Sequence, residues 1–375
     1  MKKINKIIVM LVCLVLVIGA MTVSALAAKT VASGECGENV TWVLTDDGTL
    51  TISGEGEMNN YYRGGTPWYS YRTQIKKAVV EDSVINLGGG AFDGCTNLAS
   101  VIIPNHITRI EDNTFYDCKS LTNITIPESV TRICDYAFYR SGLTSIVIPD
   151  SVIKIEDFVF NRCADLESVT LPNGLTELGE CVFSDCASLT SVNIPEGITE
   201  LKYITFYNCT SLTSIFIPDS ITRIHDSVFE GCTGLESIMI PASVTRIGSK
   251  VFRNCTNLEE IVFLGDAPIF DNYTFSDVTT AVAFPIYSDT WTEEVLKNYG
   301  GEITWVAYVF SGDVNLDADV TNADLVMIAR YIVGLYDAES EEAEMIAALG
   351  DVDGDGKVTN SDLVTVARII VGIVE

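Results

Sequence analysis

Histidine is almost missing: His106 and His225 are the only two in 375 residues. Neither has a second metal-binding side chain at motif spacing, so no histidine-containing metal motif or catalytic triad is legible. Both are expected at the surface, in turns. No G-x-S-x-G nucleophile turn occurs either. Basic residues are scarce: 23 Lys and Arg stand against 51 Asp and Glu, a formal charge of −28. An acidic surface repels phosphate backbones, which excludes nucleic-acid binding and favours divalent cations. Long apolar runs are limited to one, Ile7 to Ile18, after Lys2, Lys3 and Lys6 and before Ala25-Leu26-Ala27. It is too short for a membrane span. It reads as a secretory signal peptide over residues 1–27, so the mature chain is expected to be exported, with no membrane span.

What is abundant is repetition. Phenylalanine recurs at Phe92, Phe115, Phe138, Phe160, Phe183, Phe206, Phe229, Phe252 and Phe275, in steps of 23 residues with one step of 22 after Phe138. Cysteine follows three residues later at Cys95, Cys118, Cys163, Cys186, Cys209, Cys232 and Cys255. Seven of the ten prolines (Pro104, Pro127, Pro149, Pro172, Pro195, Pro218, Pro241) close successive units. A fixed period of this length predicts a solenoid, because one unit cannot bury its apolar face alone and stacked neighbours can. In the unit from Leu212, Leu212, Ile215 and Ile217 have L-x-x-L-x-L spacing, and the last two alternate as in a strand. Pro218 stops that ladder. Ile221 and Ile224 begin a second extended piece, and Phe229 plugs the interior from a turn or short helix.

These units resemble the BspA-like class of bacterial leucine-rich repeats, over roughly Ala91 to Phe275. That resemblance implies a leucine-rich-repeat β solenoid of short strands plus turns or short helices, closed by β caps. The N-terminal cap (28–90) contains Trp42, Leu44, Leu50 and Ile52 alternating around Asp47-Gly48, a hairpin signal. The repeats are assigned to 91–275 and a C-terminal cap to 276–310. Caps are needed because an open solenoid end exposes core and strand edges. The cysteine column has two readings. Stacked sulfurs lie about 5 Å apart, one strand spacing. That spacing fits disulfides between neighbours, or a column of buried thiols filling a tight turn.

Acidic side chains concentrate near the C-terminal end. The loop from Asp351 offers Asp351, Asp353 and Asp355 at positions 1, 3 and 5, the Lys357 carbonyl at 7, Thr359 at 9 and Asp362 at 12. An earlier copy supplies Asp313, Asn315, Asp317, the Asp319 carbonyl, Thr321 and Asp324. This is EF-hand ligand spacing, and hard oxygen ligands in this number suit calcium, one ion per loop. Gly356 permits the sharp turn at position 6, where the first loop has Ala318. Two departures mark the pattern: position 12 is Asp rather than Glu, and no helix precedes either loop. Each loop runs into an amphipathic helix. Leu325, Ile328, Ala329, Ile332 and Val333 form one apolar face, and Leu363, Val366, Ala367, Ile370 and Val371 its twin. Gly334 and Gly372 end the two helices. The run Asp337 to Glu344 reads as a solvated connector or polar helix face.

A duplicated calcium loop plus helix over residues 311–375 resembles the type I dockerin, the all-α module that plugs cellulosomal components into cohesins on a scaffoldin. The resemblance implies a recognition pair at loop positions 10 and 11, Asn322-Ala323 and Asn360-Ser361, with Arg330 and Arg368 further along the helices. It also implies that either helix can face the cohesin, and an extracellular place in a cell-surface cellulosome. On the repeats, the outward strand column reads Ile102, Thr125, Val147, Thr170, Asn193, Phe216, Met239, Val262. Its last three members form an apolar stripe. It is either an interface or a surface packed under a neighbouring segment. The expected function is therefore non-enzymatic: calcium-dependent docking to a cohesin, with the repeats binding a protein or a plant-wall polysaccharide. The alternative is a polysaccharide-degrading or protein-modifying enzyme carried by the repeats, since carboxylate pairs for glycoside hydrolysis stay open on sequence grounds.

Overall fold

The structure, a computed structural model, describes residues 28–62, 64–285, 288–308, 314, 320, 322–332, 341–352 and 357–370. The apolar segment 1–27 lies outside them.

The repeats form a β solenoid with two parallel ladders per turn. The first runs through Ser145–Val147, Ser168–Thr170 and Ser191–Val192, and resumes at Ser237–Ile240, Glu260–Phe263 and Ala281–Pro285. The second comprises two-residue strands, among them Arg132–Ile133, Lys154–Ile155, Arg223–Ile224 and Arg246–Ile247. Each strand pairs with the equivalent residues of the next unit, as Ile238 with Ile261 and Ile224 with Ile247. The shortened unit keeps this register, with Ile133 opposite Ile155. Its deletion is absorbed at Gly142, whose amide donates to the Cys118 carbonyl, and where any Cβ would collide with the Lys119 carbonyl.

The nine repeat phenylalanines are fully buried and stack as a continuous column, centroids 5.2–6.0 Å apart and planes within 12°. Among the described residues the phenylalanine-bearing segments are turns, not helices. The reason is in the backbone. The residue two before each phenylalanine and the residue two after it are left-handed, as at Phe158 (φ 59°) and Arg162 (φ 61°), or Ile204 (φ 60°) and Asn208 (φ 56°). That costs about 1–2 kcal/mol at each non-glycine position. It is offset because the alternation aims every second amide along the solenoid axis. Phe158, Phe160 and Arg162 donate to the carbonyls of Glu180, Val182 and Ser184, one unit on. The turn is thus itself a hydrogen-bonded ladder.

All ten described cysteines are free thiols, so the buried-thiol reading holds. From Cys118 onward each Sγ in the column donates to the phenylalanine carbonyl of the preceding unit, as Cys186 to Phe160 (3.1 Å) and Cys209 to Phe183 (3.2 Å). Where the column has Ser141, its hydroxyl meets the Cys163 thiol at 3.2 Å.

Both ends are closed. At the N-terminal end β1 (Thr30–Gly37), β2 (Val40–Thr45) and β3 (Thr49–Gly54) form an antiparallel meander. The turn sits at Asp47-Gly48, with Gly48 at φ 87°. β4 (Lys77–Val80) and β5 (Ser100–Ile102) add in parallel, handing the cap sheet to the solenoid. Trp68, fully buried, sits edge-on to Trp42 at 5.6 Å. At the far end Thr304–Tyr308 pairs in parallel with Ala281–Pro285. Trp305 and Tyr299 lie edge-on to Phe275 at 6.0 and 6.3 Å and cover the last ring of the column.

Burial pushes the Cys95, Cys163 and Cys255 thiols from 9.0 up to about 12, and raises those of Cys118, Cys186, Cys209 and Cys232 as well. Native thiols therefore stay protonated where unfolded ones ionise. Their stabilisation is complete below about pH 9 and is lost as pH rises towards 12. Each thiol then contributes a slope of up to about 1.4 kcal/mol per pH unit. Thermal unfolding under reducing conditions should show stability falling above pH ~9. Replacing Cys186 and Cys209 with serine, as nature does at Ser141, should flatten that fall; an identical slope in the variant would refute the assignment.

Candidate functional site

The C-terminal module is built on three helices, α1 (Asn322–Ile332), α2 (Glu341–Leu349) and α3 (Asn360–Ile370). The sequence pattern anticipated α1 and α3. The second half of the acidic connector is helical too, because Ala343 and Ile346 are buried within it. Val314, Ile328, Ile346 and Val366 form the module's core, with Leu325, Ile332 and Leu363 packed against it. Val333, Ala318, Gly334, Gly356, Val371 and Gly372 fall outside the described residues.

Of the loop ligands, Asp313, Asn315, Asp317, Asp319, Thr321, Asp353 and Asp355 also lie outside the described residues. Asp351 and Thr359 are half-buried, and Lys357 is exposed. The two position-12 carboxylates, Asp324 and Asp362, are fully buried. Each reaches back across its loop in the same way. Asp324 Oδ1 accepts from the Val314 amide at 3.0 Å, and Asp362 Oδ1 accepts from the Val352 amide at 2.8 Å. Asp362 Oδ2 also accepts from the Thr359 amide at 2.7 Å, one half of a capping box at the start of α3. One side chain thus closes the loop and starts the helix. A fully buried carboxylate at the end of a loop of acidic and amide oxygens is a hard-ligand donor set that fits calcium. When bound, the ion would supply the positive charge that lets these carboxylates share one loop.

The expected recognition pairs fall at the starts of α1 and α3, and Arg330 in the last turn of α1. Ala323, Arg330 and Asn360 are exposed; the side chains of Asn322, Ser361 and Arg368 are not described. The sequence reading missed Val326 and Val364, 48% and 57% exposed at the same place in α1 and α3. Their signal was an apolar residue three places after each recognition pair, off the core-facing stripe.

On the repeats, Phe216 is 71% and Met239 57% exposed, so neither is covered by a described segment. Val262 is only half-exposed, since Ala281–Pro285 pairs beside it and sets Ala283 against it. Exposed apolar side chains also occur in the same column at Ile102 and Val147. The histidines differ from expectation. His106 is exposed, but the His225 side chain is only 11% exposed. Its Nε2 lies 2.8 Å from Glu200 Oε2, and its ring packs 4.8 Å from Tyr203. The stacking column places it between those neighbours rather than in water. Elsewhere Asp112, Cys134 and Glu156 bring ligand atoms within 4.8 Å of one another. Arg109 Nη2 sits 3.2 Å from the Cys134 sulfur, and Arg132 pairs with Glu156, so guanidinium groups neutralise that cluster.

Six copies of the BspA type leucine rich repeat region match residues 67–179 and 153–281, and the dockerin type I domain matches 311–371. Among solved structures, a leucine-rich repeat protein from Bacteroides ovatus is 22% identical over 73% of this chain and 76% of its own, with a TM-score of 0.57. One from Eubacterium ventriosum is 25% identical over 75% and 86%, with a TM-score of 0.48. No curated protein matches. Type I dockerin domains are calcium-binding.

Because the buried carboxylates are organised by the loops, metal removal should unfold the helical module and leave the solenoid standing. Calorimetry with EDTA should lower one transition only, by about 2.7 kcal/mol for each ion bound, relative to calcium at a hundred times its Kd. Asp362→Ala should reproduce the share of its own loop. Superimposable traces with and without EDTA would rule this out.

Proposed function

We propose that this chain, which belongs to the BspA type leucine-rich-repeat family and carries a type I dockerin domain, is a secreted cellulosome component whose repeats present a surface for protein or polysaccharide. In this reading residues 1–27 are the signal peptide, 28–90 the N-terminal cap, 91–275 the repeats, 276–310 the C-terminal cap and 311–375 the docking module. Two calcium ions load the module, one held by Asp313, Asn315, Asp317, Asp319, Thr321 and Asp324, the other by Asp351, Asp353, Asp355, Lys357, Thr359 and Asp362. The loaded module docks onto a cohesin of a scaffoldin, which holds the protein outside the cell.

The observation that carries this reading is the equivalence of the two halves. Asp324 with Val314 and Asp362 with Val352 make the same hydrogen bond ten residues apart, each at the start of a helix. Two equivalent halves offer two equivalent faces: Asn322, Ala323 and Arg330 on one, Asn360, Ser361 and Arg368 on the other. Exposed Val326 and Val364 add an apolar contact to each. A non-catalytic role is preferred over an enzyme carried by the repeats, because both matched modules are of non-catalytic types. Phe216 and Met239, flanked by Val262, make the contact patch for a protein partner: an exposed aromatic beside a methionine is the composition enriched in interface cores.

Capture of a type I cohesin should require calcium and fail in EDTA. Replacing Asn360, Ser361 and Arg368 together should leave capture largely intact through the other face; replacing both triads should abolish it. Loss from one triad alone would leave a single usable face. On the repeats, Phe216→Ser should weaken capture of a protein partner tenfold or more, as for a hot spot of about 2 kcal/mol. The same change should shift stability by no more than about 0.5 kcal/mol. A clear fall in melting temperature with unchanged capture would end the interface reading.

A further inference from the structure

The outer turns carry a second set of stacked rings beside the buried phenylalanine column. The residue after each phenylalanine forms one column, and the residue two before it forms another. Tyr116 stacks on Tyr139 at 4.7 Å and 14°, and Tyr136 stacks on Phe158 at 4.7 Å and 2°. Tyr136 also meets Tyr139 edge-on at 5.7 Å, which locks the two stacks together. Then the aromatic series stops. The next members are small, Asn161 and Ser184 in one column and Cys181 in the other, before bulk returns at Tyr207 and Ile204. Three steps of about 4.8 Å separate Tyr139 from Tyr207, a gap of roughly 14 Å along the axis. A cavity of about 460 Å³ occupies it, bounded by these side chains.

The floor of this slot is polar and buried. Asn161 is 6% and Ser184 4% exposed, yet both line the cavity. The Asn161 amide nitrogen donates to the Cys181 carbonyl at 3.3 Å, and its Oδ1 has no partner among the described residues. The Ser184 side chain, 4% exposed, opens onto the same cavity. Neither Asn161 Oδ1 nor the Ser184 hydroxyl is sealed from solvent, so water in the slot can bond both and a ligand hydroxyl can take its place. At the rim Arg162 Nε lies 3.5 Å from Asp185 Oδ2, so no uncompensated charge faces the ligand. Burial pushes the Cys181 thiol up to about 11, so it is un-ionised at neutral pH and supplies no nucleophile.

We propose that this slot is a binding site for a neutral polysaccharide. The apolar face of a sugar ring stacks on the ring faces of Tyr139 and Phe158 that turn towards the slot, while its hydroxyls bond Asn161 and Ser184. The claim rests on the repeats being a binding surface and selects the polysaccharide for this face. Three observations favour that occupant. A flat ring with donors and acceptors at its edge matches aromatic walls over a polar floor. The volume falls within small-ligand sites of about 300–1,000 Å³, whereas a protein interface needs about 800 Å² from each partner. And a chain of net charge −28 disfavours polyanions, nucleotides included.

Ser184→Tyr provides a test that keeps the fold, because neighbouring units carry tyrosine at this position (Tyr116, Tyr139, Tyr207) and the new ring would fill the slot. The full chain is run through native gels containing soluble glucomannan, galactomannan or arabinoxylan. Retardation of the wild-type chain by at least one polymer is expected. Ser184→Tyr and Tyr139→Ala should each weaken it tenfold or more, with the melting temperature of Ser184→Tyr not lowered. No retardation in any gel, or full retardation of Ser184→Tyr, overturns the proposal. So does loss of protein capture in Ser184→Tyr without any polysaccharide effect, which would make the slot a protein site. Calcium-dependent capture of a type I cohesin by the same samples reports separately on the docking function, and its failure leaves the slot result standing.

Discussion

Everything in the repeat region depends on the stacking of identical units one strand spacing apart. A single unit has one strand of two to four residues, another of two residues and a turn, too little to bury a phenylalanine. Repetition puts each ring between two others and each turn amide against the next carbonyl. The left-handed residues that make this possible are unfavourable one at a time, and they are tolerated because the unit above and the unit below leave no other path. The same constraint explains the caps: a column of rings has two open faces, and Trp305 covers Phe275 at one end while buried Trp68 hydrogen-bonds the Ala91 carbonyl beside Phe92 at the other.

The thiol column follows from the same geometry. A residue three after each phenylalanine faces a buried carbonyl of the previous unit, and only a small side chain with a weak donor fits. Cysteine satisfies this without bringing a strongly hydrated group inside; where the loop is shorter the column has Ser141, whose hydroxyl meets the Cys163 thiol instead. Cysteine abundance in this chain therefore reports packing and not cross-linking, although an exported protein with so many would ordinarily suggest disulfides.

The C-terminal module works by a different economy. Its helices are short and its core small, so the folding information sits in the loops. Asp324 and Asp362 each close a loop through a buried carboxylate, Asp362 also caps the start of α3, and both are the proposed calcium ligands at position 12. Coupling docking to calcium then needs no separate switch, since the helices that present Ala323 and Asn360 are started by the groups the metal would organise.

By itself the sequence determined whatever repeats with a fixed period. The spacing of Phe, Cys and Pro specified a solenoid, because periodic burial has few solutions. The spacing of Asp pointed to a calcium-binding module, because hard-cation coordination has few solutions. It also placed Phe216 and Met239 on an outward column, because strand residues alternate. What it left open was decided by neighbours across the stack. Only the packed turns show that the phenylalanine segments are not helical, that ten cysteines stay free, that His225 lies against Tyr203, and that Val262 is half-covered by Ala281–Pro285. The slot between Tyr139 and Tyr207 was least legible of all. It is made by small residues interrupting two columns at once, and the columns become adjacent only when left-handed turns bring positions three residues apart onto one face.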